Sequence, residues 1–299
     1  MKENKARVIA FYLPQYHPIP ENDKYWGKGF TEWTNVAKAK PLFRGHYQPH
    51  IPADLGFYDL RLPEVREAQA ELARDAGIEG FCYYHYWFGN GKMLLQKPFE
   101  EVLRLGKPDF PFCLCWANHD WTTKTWVKGS SMVNNTMIAQ QEYLGEQDDI
   151  KHFEYCLRAF KDHRYITIEG KPIFLIYDPL SFPNVKEFMN RWNFLAKKNN
   201  LKGIYFIGVT TGRQSSYKIV TNLGFDGVCH NRRWEAEAKA AGFRFVRRMQ
   251  SLLGWHLGIS LMKYDYNKVV RNYDTPENKL ENCYPVITPG FDRTPRAGR

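Results

Sequence analysis

Ala10-Phe11-Tyr12-Leu13-Pro14-Gln15-Tyr16-His17-Pro18 is the stretch from which the architecture of the chain can be read. Arg7–Leu13 is dense in aromatic and aliphatic residues and is stopped by Pro14, which predicts a strand. Its far end opens into a loop holding Trp26-Gly27-Lys28-Gly29-Phe30-Thr31-Glu32-Trp33-Thr34-Asn35-Val36, a mixture of rings, amides and a carboxylate. The loop runs to Pro63, where a proline at a helix start introduces Glu64–Ala76, and Gly77 closes that helix. Strand, decorated loop and helix is the unit that the rest of the chain repeats.

Ile78–Trp87 is the second strand, with Phe81, Tyr83, His85 and Trp87 on one face and Cys82, Tyr84 and Tyr86 on the other. A helix over Pro98–Leu105 and a strand over Phe112–Ala117 follow. Next come a helix over Asp148–Asp162, a strand over Pro172–Tyr177, a helix over Val185–Lys198 and a strand over Gly203–Val209. The pattern continues with a helix near Ser215–Asn222, a strand over Phe225–Cys229, a helix from about Trp234 to Leu253 and a last strand over Tyr284–Thr288. Alternation of this kind predicts an α/β fold with a parallel sheet. Two versions compete, a doubly wound sheet and a TIM-type (β/α)8 barrel. No glycine-rich turn follows the first strand, and the elements are many and widely spaced, so the barrel is favoured.

The 299 residues suffice for one such barrel, and residues 1–299 are expected to form a single domain. With 43% hydrophobic and 25% charged residues, the composition is that of a globular protein. No run approaches the roughly 20 apolar residues of a membrane span. Met1-Lys2-Glu3-Asn4-Lys5 leads straight into a strand without a signal-peptide core, so a cytoplasmic location is expected. The six cysteines form no CxxC pair and lie in apolar runs, which predicts reduced thiols. The net charge is +10, and residues 231–299 carry 13 Lys/Arg against 7 Asp/Glu. Arg232, Arg233, Arg244, Arg247 and Arg248 cluster around one helix. They read either as a solvated face or as a contact for an anionic partner, such as a lipid-linked sugar phosphate or an anionic membrane surface. No nucleic-acid-binding motif accompanies the charge, so no nucleic-acid partner is expected.

A barrel places its chemistry at the C-terminal strand ends. There the chain sets Gln15, Tyr16 and His17, with Glu32 and Trp33 farther along. Other strand ends carry His85-Tyr86-Trp87, Trp116-Ala117-Asn118-His119-Asp120-Trp121, Tyr177-Asp178 and His230-Asn231-Arg232-Arg233-Trp234. Rings cover the C–H faces of a sugar while amides and hydroxyls meet its hydroxyl groups. Tyr12, Gln15, Tyr16, His17, Trp33, His85, Tyr86, Trp87, Trp116 and Asn118 are therefore the candidate substrate-binding residues. Glu32, His119 and Asp178 are the candidates for catalysis. His85, His119 and His230 could converge, but without HExxH or Cys/His spacing no metal and no cofactor are expected. G-x-S-x-G and P-loop motifs are absent.

Tyr12-Leu13-Pro14-Gln15-Tyr16-His17, Trp26-Gly27-Lys28-Gly29-Phe30-Thr31-Glu32-Trp33, Gly45-His46-Tyr47-Gln48-Pro49, Gly80–Phe88, Phe112–Asn118 and Gly170-Lys171-Pro172 together resemble the WbsX-type, glycoside hydrolase family 99-like proteins of bacterial surface-polysaccharide loci. The resemblance covers nearly the whole chain. It implies a (β/α)8 barrel acting on glycosidic bonds in O-antigen or capsule assembly, as hydrolase or transferase, on an oligosaccharide or lipid-linked sugar. Family 99 relatives act on α-mannosidic bonds with two carboxylates. The family pattern continues Trp-Ala-Asn with Glu, where this chain has His119. It also carries an Asn-Glu-Trp-Xaa-Glu-Gly segment that these 299 residues do not contain. From this a barrel lacking its last strand and helix is expected, with a non-catalytic glycan-binding or remnant protein as the alternative to an enzyme.

Overall fold

The computed structural model describes residues 6–123, 125–126, 133–134, 136–210, 216–241, 248–250, 252–253, 264–290, 292 and 294–297. Seven parallel strands form one curled sheet: β1 (Ile9–Tyr12), β2 (Gly80–His85), β3 (Phe112–Trp116), β4 (Lys171–Ile176), β5 (Tyr205–Val209), β6 (Gly227–His230) and β7 (Cys283–Pro285). Each pairs with the next in chain order. Sequential parallel order is barrel-like winding and excludes the doubly wound alternative, whose strand order would reverse. Thr167–Ile168 adds an antiparallel edge to β4. Among the described residues no ladder joins β7 back to β1.

Helices α1 (Pro20–Trp26) and α2 (Glu32–Lys38) lie inside the stretch expected to be loop. They are followed by α3 (Pro63–Asp75), α4 (Lys97–Leu105), α5 (Glu146–Phe160), α6 (Val185–Lys198), α7 (Tyr217–Asn222), α8 (Arg233–Ala240), α9 (Tyr266–Arg271) and α10 (Thr294–Ala297). Helix α1 starts on Pro20 and α2 is opened by a Thr31/Thr34 capping box, so the start of each is locally encoded. The helix expected over Trp234–Leu253 is described as α8 and a short turn at 248–250; Arg244 and Arg247 lie outside the described residues.

The register separates two faces. Tyr84, Cys115, Leu175, Ile207 and Gly227 form one lateral row across five strands, and Phe11, Cys82 and Cys113 form a second. These rows face the lumen of the sheet. His85, Trp116, Ile176, Gly208, Val228 and Cys283 form a row of the opposite parity, toward the helices. In that outer layer Trp192 of α6 is fully buried among Phe153, Phe174, Phe188 and His152. Gly208 shows how closely the layers approach: a Cβ there would lie 2.4 Å from Cγ1 of Val220 on α7. All six cysteines are buried free thiols.

Candidate functional site

The C-terminal ends of β1 to β4 converge on a mouth of aromatic and polar side chains. On its inner wall Tyr84 stacks on Phe11 at 5.4 Å and meets Tyr177 edge-on at 5.9 Å. Tyr177 in turn takes the His119 ring edge-on at 5.5 Å. Tyr86 lies parallel to Trp121 at 5.2 Å. Burial pushes the Tyr84, Tyr86 and Tyr177 hydroxyls well up or up from their ordinary values, so they stay protonated donors at neutral pH.

One side of the mouth is polar. Gln15, buried, accepts from Arg296 Nη1 at 3.4 Å, and its side chain also meets the Tyr86 hydroxyl. Arg296 sits 3.2 Å from Glu32 Oε1, while Asn35 donates to Glu32 Oε2 at 3.2 Å. Tyr16 lies near this carboxylate, and burial together with the Glu32 charge holds its hydroxyl up. Arg296 arrives on a strap anchored by Asp292, which accepts from His46 Nε2 at 2.9 Å, from Gln48 and from the Thr294 backbone. Nothing local in the sequence signals Arg296, which is brought beside Glu32 from the far end of the chain.

Of the residues singled out from sequence, Gln15, Tyr16, Glu32 and Tyr86 come together here, and His119 joins them through Tyr177. Asp178 stands beside Tyr177, with its carboxylate taking the Ser181 hydroxyl at 2.7 Å and capping a short turn. Trp33 packs between Tyr16 and Tyr58 and donates to the Tyr58 carbonyl at 2.8 Å. His17 is buried, and desolvation pulls its imidazole down to about 4.

The remaining expected wall residues are placed elsewhere. Tyr12 faces α3, where its hydroxyl donates to Gln69 Oε1 at 2.6 Å and its ring packs on Tyr83. Trp116 is in the outer layer against Phe182 and Phe188, with its indole N–H on the Trp87 carbonyl at 2.9 Å. Trp87 itself is buried, donating to Asp148 Oδ2 at 3.1 Å. His85 packs on His152 and Tyr155 of α5. Asn118 is fully buried and brackets Asp178: it accepts the Asp178 N–H at 2.7 Å and donates to the Asp178 carbonyl at 2.8 Å. His85, His119 and His230 do not converge; His230 contacts Asn278 instead. Trp121 and Tyr177 are among the strand-end residues noted from sequence but not among the substrate-binding candidates; Tyr84 is the addition, and it shares a strand face with Tyr86.

Two members of the basic cluster, Arg232 and Arg233, are paired with carboxylates. Arg232 pairs with Glu235 and Glu277, and Arg233 with Glu237 at 3.4 Å while stacking on Trp234. Among the described residues no helix is long and apolar enough to cross a membrane.

The structure thus defines a parallel α/β half-barrel with an aromatic, hydroxyl-rich mouth. Residues 8–299 match the family model described as glycosyltransferase WbsX, and the chain belongs to that family. It is 34% identical over 291 residues to the uncharacterized protein WxcX of Xanthomonas campestris pv. campestris strain B100, and equally to that of strain ATCC 33913. The matched region is 97% of this chain and 39% of each relative, so the chain spans about two-fifths of their length. Among solved structures it is similar to the GH99 endo-alpha-mannosidase from Bacteroides thetaiotaomicron, at 16% identity and a TM-score of 0.42, over 84% of this chain and 68% of that one. It is also similar to a glycoside hydrolase-like protein at 15% identity and a TM-score of 0.44, over 87% and 69% of the two chains.

Proposed function

We propose that this chain is a carbohydrate-active protein that handles glycosidic bonds during assembly of a bacterial surface polysaccharide, with an oligosaccharide or lipid-linked sugar as its substrate. The observation that carries this reading is the mouth. Tyr84 and Tyr177 offer half-buried rings backed by the buried Tyr86–Trp121 stack, and Gln15, Tyr16 and His119 offer donors and acceptors around one carboxylate–guanidinium pair. Membership in the WbsX family supports the same reading.

In this reading Glu32 is the proton-transfer group, because it is the carboxylate held in place at the mouth by the Arg296 guanidinium and the Asn35 amide. Arg296 and Asn35 set its orientation. Asp178 and His119 lie at the opposite wall, positioned by the Asn118 bracket and Tyr177, and contact the sugar hydroxyls. Glycosidic chemistry generally uses a pair of carboxyl groups, and Glu32 and Asp178 are the two we assign to it.

The test is titration of the purified chain with a panel of surface-polysaccharide fragments, mannosides included, followed by tryptophan fluorescence and by chromatography of products. Binding should weaken at least tenfold in Tyr177→Ala. Glu32→Gln should keep binding and lose turnover. Unchanged binding in Tyr84→Ala, Tyr86→Ala and Tyr177→Ala alike would refute the placement of the site.

A further inference from the structure

Behind the mouth, on the helix side of the sheet, lies a second group of chemically competent side chains that the proposed function does not use. His85 ends β2 in the outward-facing row, while His152 and Cys156 stand one turn apart on α5 and so share its inner face. The ligating atoms of His85, His152 and Cys156 all lie within 4.8 Å of one another. The two imidazoles meet directly, Nε2 to Nε2 at 2.8 Å. The three residues are 4%, 1% and 0% exposed.

The rings are held from several sides. Trp87 lies flat on His152 at 4.6 Å, with Trp116 and Trp192 edge-on to it at 4.8 and 4.9 Å. Tyr155 stacks on His85 at 5.5 Å. Such a cage fixes ring planes and excludes water, as the shell around a closed metal site does. Burial holds both imidazoles neutral, His85 near 3 and His152 well down, and the neutral ring is the ligating form.

We propose that His85, His152 and Cys156 form a structural site for a thiophilic closed-shell metal ion, Zn(II) or Cu(I), that ties β2 to α5. Two imidazole nitrogens and one sulfur are the donor set of such ions. With bonds of about 2.0–2.1 Å to nitrogen and about 2.3 Å to sulfur, the donors would stand roughly 3.3–3.8 Å apart, within about 1 Å of their present spacing. The step is an exchange of a proton for a metal. Cys156 releases its thiol proton to solvent, the imidazole whose Nε2 donates in the His85–His152 hydrogen bond shifts that proton to its Nδ1, and three coordinate bonds form from the two freed Nε2 lone pairs and the thiolate with no change of oxidation state. One thiolate balances a monovalent ion fully and a divalent ion by half. In so dry a place, charge balance therefore favours Cu(I). The ion enters as the chain folds, since the finished site is closed.

The chain should be expressed in medium supplemented with zinc, and separately refolded anaerobically with Cu(I), then desalted and its metal content measured. The expected result is about one metal per chain in one arm, and X-ray absorption with two nitrogens and one sulfur around it. The metal should be lost in Cys156→Ser and His85→Asn and kept in Cys113→Ser, a buried thiol outside the cluster. If Cys156→Ser and His85→Asn do not fold, the ligand set read on the unaltered chain decides alone. A folded chain that emerges with no more metal than Cys156→Ser in both arms, or a ligand set without sulfur, overturns the proposal. The His85–His152 contact would then be an imidazole hydrogen bond and nothing more.

Discussion

Asn118→Ala separates a structural bracket from a sugar contact. The Asn118 amide makes three hydrogen bonds, to the Asp178 N–H at 2.7 Å, the Asp178 carbonyl at 2.8 Å and the Tyr143 hydroxyl at 2.9 Å. The residue is 0% exposed, so water cannot replace the amide without the wall opening. At about 1 kcal/mol net for each bond, and somewhat more for a buried partner left alone, the loss is about 3 kcal/mol, roughly a hundredfold in the folding constant. A side chain whose work is to touch sugar would cost no more than about 0.5 kcal/mol when trimmed. Urea unfolding with an unchanged slope measures the difference directly. Asn118→Asp should be at least as damaging, because it turns a donor facing the Asp178 carbonyl into a charged acceptor. A loss below about 1 kcal/mol in Asn118→Ala would refute the bracket and return Asn118 to the list of glycan contacts.

Acid should weaken the fold early. His17 and His85 are pulled down to about 4 and about 3 and His152 well down, so all three are neutral in the folded chain at pH 5. The unfolded chain takes up these protons below about pH 6.5. The stability they contribute is therefore whole above that pH and is lost as pH falls toward 4, at up to about 1.4 kcal/mol per pH unit for each ring. A urea midpoint that stays flat between pH 6.5 and 4.5 would contradict this. Gly208→Ala should destabilise by about 1–3 kcal/mol by forcing α7 off β5, measured by thermal unfolding. Arg296→Ala removes a largely covered pair with Glu32 and should change stability by about 1 kcal/mol while weakening glycan binding, measured by calorimetry on the same samples.

Much of the scaffold was legible because its signals are local. The prolines at Pro14 and Pro63 mark element boundaries, and β2 to β5 are short apolar runs flanked by turn residues. The period-2 alternation of Ile78–Trp87 correctly placed Tyr84 with Tyr86 and His85 with Trp87. Alternation cannot say which face is the lumen when both are buried, as they are in a parallel sheet roofed by helices. His85, Trp116 and Tyr12 were therefore expected at the mouth and lie in the helix layer. Asn118 is found bonded to the Asp178 backbone, and a buried amide that serves the backbone and one that serves a ligand look alike in a string of letters.

By itself, the sequence determined that the chain is an α/β protein of alternating strands and helices, that aromatic and polar groups crowd its strand ends, and which family it belongs to. Each of these rests on residue type and spacing along the chain. The tertiary structure alone decided that Arg296 stands beside Glu32, that Tyr84, Tyr86 and Tyr177 rather than Trp116 and His85 line the mouth, and that His85 meets His152 and Cys156. Those are contacts between segments up to some 260 residues apart, set by the handedness of the winding and the register of the sheet. Neither is written in any local stretch of the chain.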